Sequence, residues 1–162
     1  MTEHAQTATL LSELDKSRAV LRRIAGFYEA YLAQTRGLEG RSTEQAIVLA
    51  DVLVSYYTAL ETLFLRVSQF FENELSREKW HRDLLQKMTL RIEGVREPVI
   101  ADATALQLAE LLKFRHFKRY YFQFEYDWDK LDFVRKKFDA LRRPLEADLE
   151  RFSGFLRQLM AQ

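Results

Sequence analysis

Segment 113–122, with the sequence KFRHFKRYYF, holds the densest group of side chains that could do chemistry. It contains four Lys or Arg residues and one His, but no acidic residue. Guanidinium groups bind phosphate through paired hydrogen bonds, and aromatic rings stack on bases. The segment is therefore compatible with a site for the phosphates and bases of a nucleic acid, to which Lys113, Arg115, Lys118 and Arg119 would contribute.

The same segment also permits a purely structural interpretation. At about 100° per residue of an α-helix, Leu111, Phe114 and Phe117 fall on one side and should face a core. Arg115 and Arg119 would then form ordinary surface ion pairs with the acidic residues that follow. Those residues are Glu125, Asp127, Asp129 and Asp132. The spacing by itself leaves both interpretations open.

Composition restricts the kinds of site that the chain can form. The 25 basic and 24 acidic side chains nearly cancel, so any site for a polyanion must be local. The absence of cysteine excludes disulfides and thiolate metal sites. Glu78 and His81 have the Glu-x-x-His spacing of di-iron bundles, but the second copy is missing. We therefore expect no metal and no cofactor, and His81 as a hydrogen-bonded structural residue.

The elements that must position these groups are predicted to be helices. The low Gly and Pro counts and the helical spacing of the apolar residues predict an all-α protein. We expect one domain over residues 1–162 that folds as a five-helix antiparallel up-and-down bundle. Ser42 and Gln45 have the spacing of a capping box. Pro144 predicts a kink in the last helix. The expected helices cover 9–35, 43–75, 77–92, 103–122 and a last stretch from Asp127 or Asp129 almost to the end.

The second predicted helix has two apolar stripes rather than one. Leu49, Tyr56, Leu63 and Phe70 form the second stripe, beside the one that faces the bundle. This pattern predicts burial against another helix or against a second subunit. No apolar run approaches the roughly 20 residues of a membrane span, and the polar N-terminal stretch has no apolar signal-peptide core. We expect a cytoplasmic protein without membrane contact.

Four segments together resemble the HepT-type toxins of the HEPN superfamily. They are WHRDLL at 80–85, GVREPVI at 94–100, FRHF at 114–117 and FEYDW at 124–128, and the resemblance extends from about residue 44 to 157. It implies a homodimeric helical bundle that cleaves RNA without a metal, in a cleft between two protomers. It also implies a minimal nucleotidyltransferase as the antitoxin partner, which attaches AMP to a tyrosine of the toxin.

The chain departs from the family's Arg-x4-His-x-Tyr motif. Arg115 matches the arginine, but Tyr120 stands at the histidine position and Phe122 at the tyrosine position. A phenol with a pKa of about 10 is a poor base at neutral pH, and Phe122 has no hydroxyl to accept AMP. Tyr120 and Tyr121 remain as candidates for modification. His116 is a possible substitute base, although it points about 100° away from Arg115 around the helix.

Three functions follow from these observations. The first is a ribonuclease toxin, active or weakened, with catalytic positions at Arg115, Tyr120 and His116. The second is a catalytically inactive subunit that only binds a nucleotidyltransferase-type antitoxin. The third is a generic helical interaction module, which would be monomeric and have no affinity for RNA.

Overall fold

The structure, a computed structural model, describes residues 2–72, 80–120 and 126–162, without the side chains of Trp80, Arg119 and Tyr120. Within these ranges the chain forms five α-helices and no β-strand, which confirms the all-α bundle. The helices are α1 Glu3–Gln34, α2 Thr43–Phe71, α3 Trp80–Lys87, α4 Asp102–Tyr120 and α5 Trp128–Met160.

The start of α2 is fixed by the predicted capping box. The Ser42 hydroxyl accepts a hydrogen bond from the Gln45 backbone N–H at 3.1 Å, and the Gln45 side chain accepts one from the Ser42 N–H. The preceding loop turns back sharply through residues with positive φ, including Gly37 at 71°. Leu38 in this loop is buried, so the turn is also held by the core.

Helix α2 lies at the centre of the bundle, and both of its apolar stripes are covered within one chain. Leu49, Tyr56 and Leu63 are almost fully buried, and Phe70 is half-buried. The Tyr56 ring packs edge-on against Phe138 of α5 at 4.9 Å, while α1 packs against both α2 and α5. The second stripe therefore gives no support for a second subunit, and the homodimer stays a prediction.

Helix α3 ends five residues earlier than the sequence predicts, and a compact hairpin follows it. Ile92 and Arg96 form a single β-bridge, and Gly94 between them has a φ of 74°. The Arg96 guanidinium is completely buried and donates to the carbonyl oxygens of Lys87 and Leu90 at 2.8 Å. This hairpin carries the chain from α3 to the start of α4.

Asp127 is the N-cap of helix α5, and its side chain accepts a hydrogen bond from the Asp129 N–H at 2.9 Å. The helix continues through Pro144 without interruption, and the buried Leu141 and Leu145 keep the apolar stripe in phase there. Pro144 has no N–H to donate, so one helical hydrogen bond is missing at this turn. The predicted kink stays a prediction.

Helix α2 is long and apolar enough to cross a membrane by length and composition. However, 56% of the relevant 18-residue window is buried inside the bundle. A core helix has the same composition, and the capped start and central position of α2 match that role.

Candidate functional site

A groove of about 1420 Å³ opens between α2, α3 and α4. Its walls are apolar in part, with Val54 from α2, Leu85 from α3 and Leu112 from α4. Leu106 of α4 also lines it and is 73% exposed. The polar lining residues are Thr58, Glu61, His81, Arg82, Gln86, Thr89, Asp102, Lys113, Arg115, His116 and Lys118. An open groove with such a lining can receive an extended ligand that is both polar and aromatic.

Arg115 projects from α4 across the groove to α2. One guanidinium nitrogen, Nη2, donates to Oε2 of Glu61 at 2.9 Å, and the other, Nη1, donates to the Thr58 hydroxyl at 3.3 Å. The side chains of Arg115 and Glu61 are only 17% and 9% exposed. Because the pair is shielded from water, its charges interact more strongly than those of a surface salt bridge.

His81 of α3 joins the same cluster. Its Nδ1 lies 2.8 Å from Oε2 of Glu61 and 3.2 Å from Nη2 of Arg115. A carboxylate only accepts hydrogen bonds, so Nδ1 carries the proton and donates to Glu61. Nη2 of Arg115 is also a donor, so its 3.2 Å contact with Nδ1 is a close approach and not a hydrogen bond. One carboxylate oxygen thus holds a guanidinium and an imidazole side by side, and we call Glu61, His81 and Arg115 the groove cluster.

Tyr57 of α2 lies against the groove cluster. The Arg115 guanidinium carbon lies 4.9 Å from the centre of the Tyr57 ring, within the range of a cation–π contact. Burial is the main cause that raises the pKa of the Tyr57 phenol, with a further contribution from the charge of Glu61. The ring therefore stays neutral and can support the cation at any physiological pH.

The structure brings several predicted site residues together at the groove. Lys113, Arg115, His116 and Lys118 all line it, and Arg82 adds a further cation from α3. The side chains of Arg119 and Tyr120, and all of Tyr121, lie outside the described residues. The predicted roles of these three residues stay predictions.

The acidic partner of Arg115 differs from those considered in the structural interpretation. Arg115 pairs with Glu61, which precedes it by 54 residues. Of the acids that follow α4, the described ones are Asp127, Asp129 and Asp132, and none of these three pairs with Arg115. Among those acids, Asp132 forms an ion pair with Arg41. Arg115 is therefore tied to the interior of the groove rather than to a solvated surface network.

Glu61 is absent from the predicted site, and His81 is predicted only as a structural residue. The signal for Glu61 was present, because Asp51 and Glu61 are the two acidic residues in the apolar stretch 46–71. A charged residue in a helix with two buried faces needs a partner. Periodicity could not identify that partner, because His81 and Arg115 come from two other helices.

Residues 48–156 match a family model described as a HepT-like protein. The chain belongs to this family. Comparisons with curated proteins and with solved structures find no match. The HepT-like region includes the whole groove cluster and excludes α1, which packs against α2 and α5.

A smaller cavity of about 550 Å³ lies between α1 and α5 of this HepT-like protein. Its charged lining residues pair largely with each other, as Arg22 does with Glu146 and Arg142 with Glu29. The hydrogen bond from Arg22 lowers the pKa of Glu146. Within the described ranges, no cluster of three His, Asp or Glu residues could hold a metal ion. The groove is thus the better candidate for a functional site.

Proposed function

We propose that this HepT-like protein binds RNA in the groove and cleaves it as a metal-independent endoribonuclease of the toxin type. The observation that supports this function is the groove cluster, in which a guanidinium and an imidazole lie 3.2 Å apart at the wall of an open groove. A guanidinium can neutralise a phosphate and its developing charge, and an imidazole can transfer protons near neutral pH.

The lining of the groove suits a single-stranded ligand. Its cationic side chains are Arg82, Lys113, Arg115 and Lys118, and its acidic ones are Glu61 and Asp102. This local excess of positive charge exists although the whole chain has a net charge of only +1. The apolar walls can accept the faces of bases, while the cations contact the backbone phosphates.

The direct test is cleavage of a labelled single-stranded RNA by the purified full-length chain in the presence of a metal chelator. We expect fragments that end in a 2′,3′-cyclic phosphate, because the ribose 2′-hydroxyl is the nucleophile available without a metal. The same RNA with 2′-O-methyl groups should resist cleavage. A purified chain that neither binds nor cleaves RNA would contradict this function.

A homodimer is the assembly proposed for this activity. Its support is the resemblance to the HepT-type toxins together with the exposed Leu106 on the open wall of the groove. A second copy packed on this wall would narrow the groove to a cleft. Light scattering on the same sample reports whether the chain is dimeric.

The lysines of the groove are expected to set the salt dependence of RNA binding. Each phosphate contact on a single strand contributes about 0.7 to the slope of log K against log salt. Replacement of Lys113 and Lys118 by Ala should therefore reduce the slope by about 1.4. The double variant Lys16→Ala/Arg23→Ala, which removes two exposed cations of α1, is the control and should keep the slope of the parent chain.

The second candidate is an inactive subunit that binds a nucleotidyltransferase-type antitoxin. Its support is the neutralisation of Arg115 by Glu61, together with Tyr120 and Phe122 at the positions of the motif His and Tyr. Attachment of AMP to Tyr120 or Tyr121 belongs to this partnership and stays a prediction.

Tyr120→His separates the two candidates. If the chain is a disarmed ribonuclease, restoring the motif imidazole should turn an inactive protein into one that cleaves RNA. If the groove cluster already supports cleavage, the parent chain should cleave RNA and the variant should change its rate little. The measurement is the initial rate on the same labelled RNA, with Tyr31→His on α1 as a control for the substitution itself.

A further inference from the structure

We propose that His81 of α3, rather than any residue of the α4 motif, is the acid–base catalyst, and that Glu61 is its positioning residue. This inference rests on the proposed function and assigns its chemistry to particular side chains. It follows from the contacts of the groove cluster, in which Nδ1 of His81 lies 2.8 Å from Glu61 and 3.2 Å from Arg115.

The position of His81 suits proton transfer to a bound strand. The side chain lines the groove and is 37% exposed, so its ring can reach a ligand there. Glu61 is 9% exposed and fixed on the central helix α2. A hydrogen bond from Nδ1 to a fixed carboxylate orients an imidazole and selects the tautomer whose Nε2 can accept a proton.

Glu61 also sets the distance between the imidazole of His81 and the guanidinium of Arg115. Its single oxygen Oε2 accepts from Arg115 at 2.9 Å and lies 2.8 Å from His81. The guanidinium and the imidazole therefore converge on one point although they belong to different helices. A phosphate bound at Arg115 would place its neighbouring ribose close to His81.

The reaction proceeds as an internal transfer at phosphorus. The imidazole of His81 takes the proton of the ribose 2′-hydroxyl, and O2′ forms a bond to the adjacent phosphorus. The bond from phosphorus to O5′ breaks, and its electron pair leaves with O5′, which takes a proton from water. The resulting hydroxide removes the proton from the imidazolium, and the product carries a 2′,3′-cyclic phosphate. Arg115 neutralises the charge on the pentavalent phosphorus centre.

The test is the steady-state cleavage of RNA by His81→Ala in the full-length chain. We expect kcat to fall by about 10² to 10⁴, because a general acid–base group typically contributes this much. The affinity for RNA should change less than about threefold, since the cations of the groove remain. The control is His4→Ala, which removes an exposed imidazole on α1 and should leave the rate unchanged.

Added imidazole gives a readout that a structural role would not produce. The cavity left by His81→Ala should admit free imidazole. Added imidazole should raise the cleavage rate of the variant at least about tenfold, as expected when a base is missing. If the parent chain cleaves RNA and His81→Ala cleaves it equally well, His81 is not the catalyst, although the proposed function stands. If the parent chain itself does not cleave RNA, the proposed function fails first.

The positioning role of Glu61 has its own test. Glu61→Gln should lower kcat and leave KM within about threefold, because the amide no longer fixes the imidazole tautomer. Nitrogen NMR of labelled His81 should show Nδ1 protonated in the parent chain and a mixture of tautomers in the variant. Unchanged nitrogen shifts together with an unchanged kcat would overturn the role of Glu61.

Discussion

Arg96→Ala is expected to lower the free energy of unfolding by about 3 to 5 kcal/mol, the range for breaking a buried ion pair. The Arg96 side chain is fully buried, and its Nε donates to Oε1 of Glu72 at 2.8 Å. It also donates to the carbonyls of Lys87, Leu90 and Glu97. Alanine removes all these donors at once and leaves the Glu72 carboxylate, which is 15% exposed, without its counter-charge.

Arg91→Ala provides the matched control in the same hairpin. Arg91 also pairs with a glutamate, Glu97 at 2.6 Å, but its side chain is 69% exposed. Water screens the charges of an exposed pair of this kind, so its loss should change the stability little. Urea denaturation of both variants measures the difference, and equal losses of stability would show that burial of Arg96 is not what stabilises the hairpin.

The hairpin also matters for the groove. It connects α3, which carries His81, to α4, which carries Arg115. The backbone N–H of Val99 donates to the Met88 carbonyl at 2.8 Å and fixes this connection. We therefore expect any destabilisation of the hairpin to make the distance between His81 and Arg115 more variable as well.

The helices could be predicted from the sequence because each one buries a continuous apolar stripe. The α2 stripe through Leu53, Leu60 and Phe64 is fully buried, as its spacing requires. The second stripe of α2 was ambiguous, because periodicity shows that a face is buried but not what buries it. The end of α3 could not be predicted, because Arg96 is buried and donates hydrogen bonds to loop carbonyls, and such contacts leave no periodic pattern in the sequence.

The candidate site was only partly predictable. Arg115 could be predicted as a site residue because it lies in a segment without acidic residues and at the arginine position of the HepT-type motif. Its contacts with Glu61 and His81 span 54 and 34 residues of sequence, and no local pattern encodes such distances. Single-sequence spacing places residues on a helix face, whereas the packing of α2, α3 and α4 decides which faces meet.

Arg115→Ala is expected to reduce kcat/KM for RNA cleavage by about 10² to 10³, the effect of removing one donor that stabilises transition-state charge. The guanidinium lines the groove beside the imidazole of His81, so it is the cation placed to neutralise the reacting phosphate. Arg23→Ala is the matched control, because Arg23 is an exposed arginine of α1. Its cleavage rate should equal that of the parent chain.

Loss of stability must be separated from loss of chemistry in this variant. Removing Arg115 leaves Glu61, which is 9% exposed, with His81 as its remaining partner in the groove cluster, and breaking a buried pair can cost about 3 to 5 kcal/mol. The double variant Glu61→Ala/Arg115→Ala removes both charges and should regain most of that stability. Because Glu61 also positions His81, the comparison is with Glu61→Ala alone. If the stable double variant cleaves RNA more slowly than Glu61→Ala, Arg115 acts on the phosphate. If it regains both stability and the full cleavage rate, Arg115 only joins α4 to α2, and the ribonuclease site must lie elsewhere.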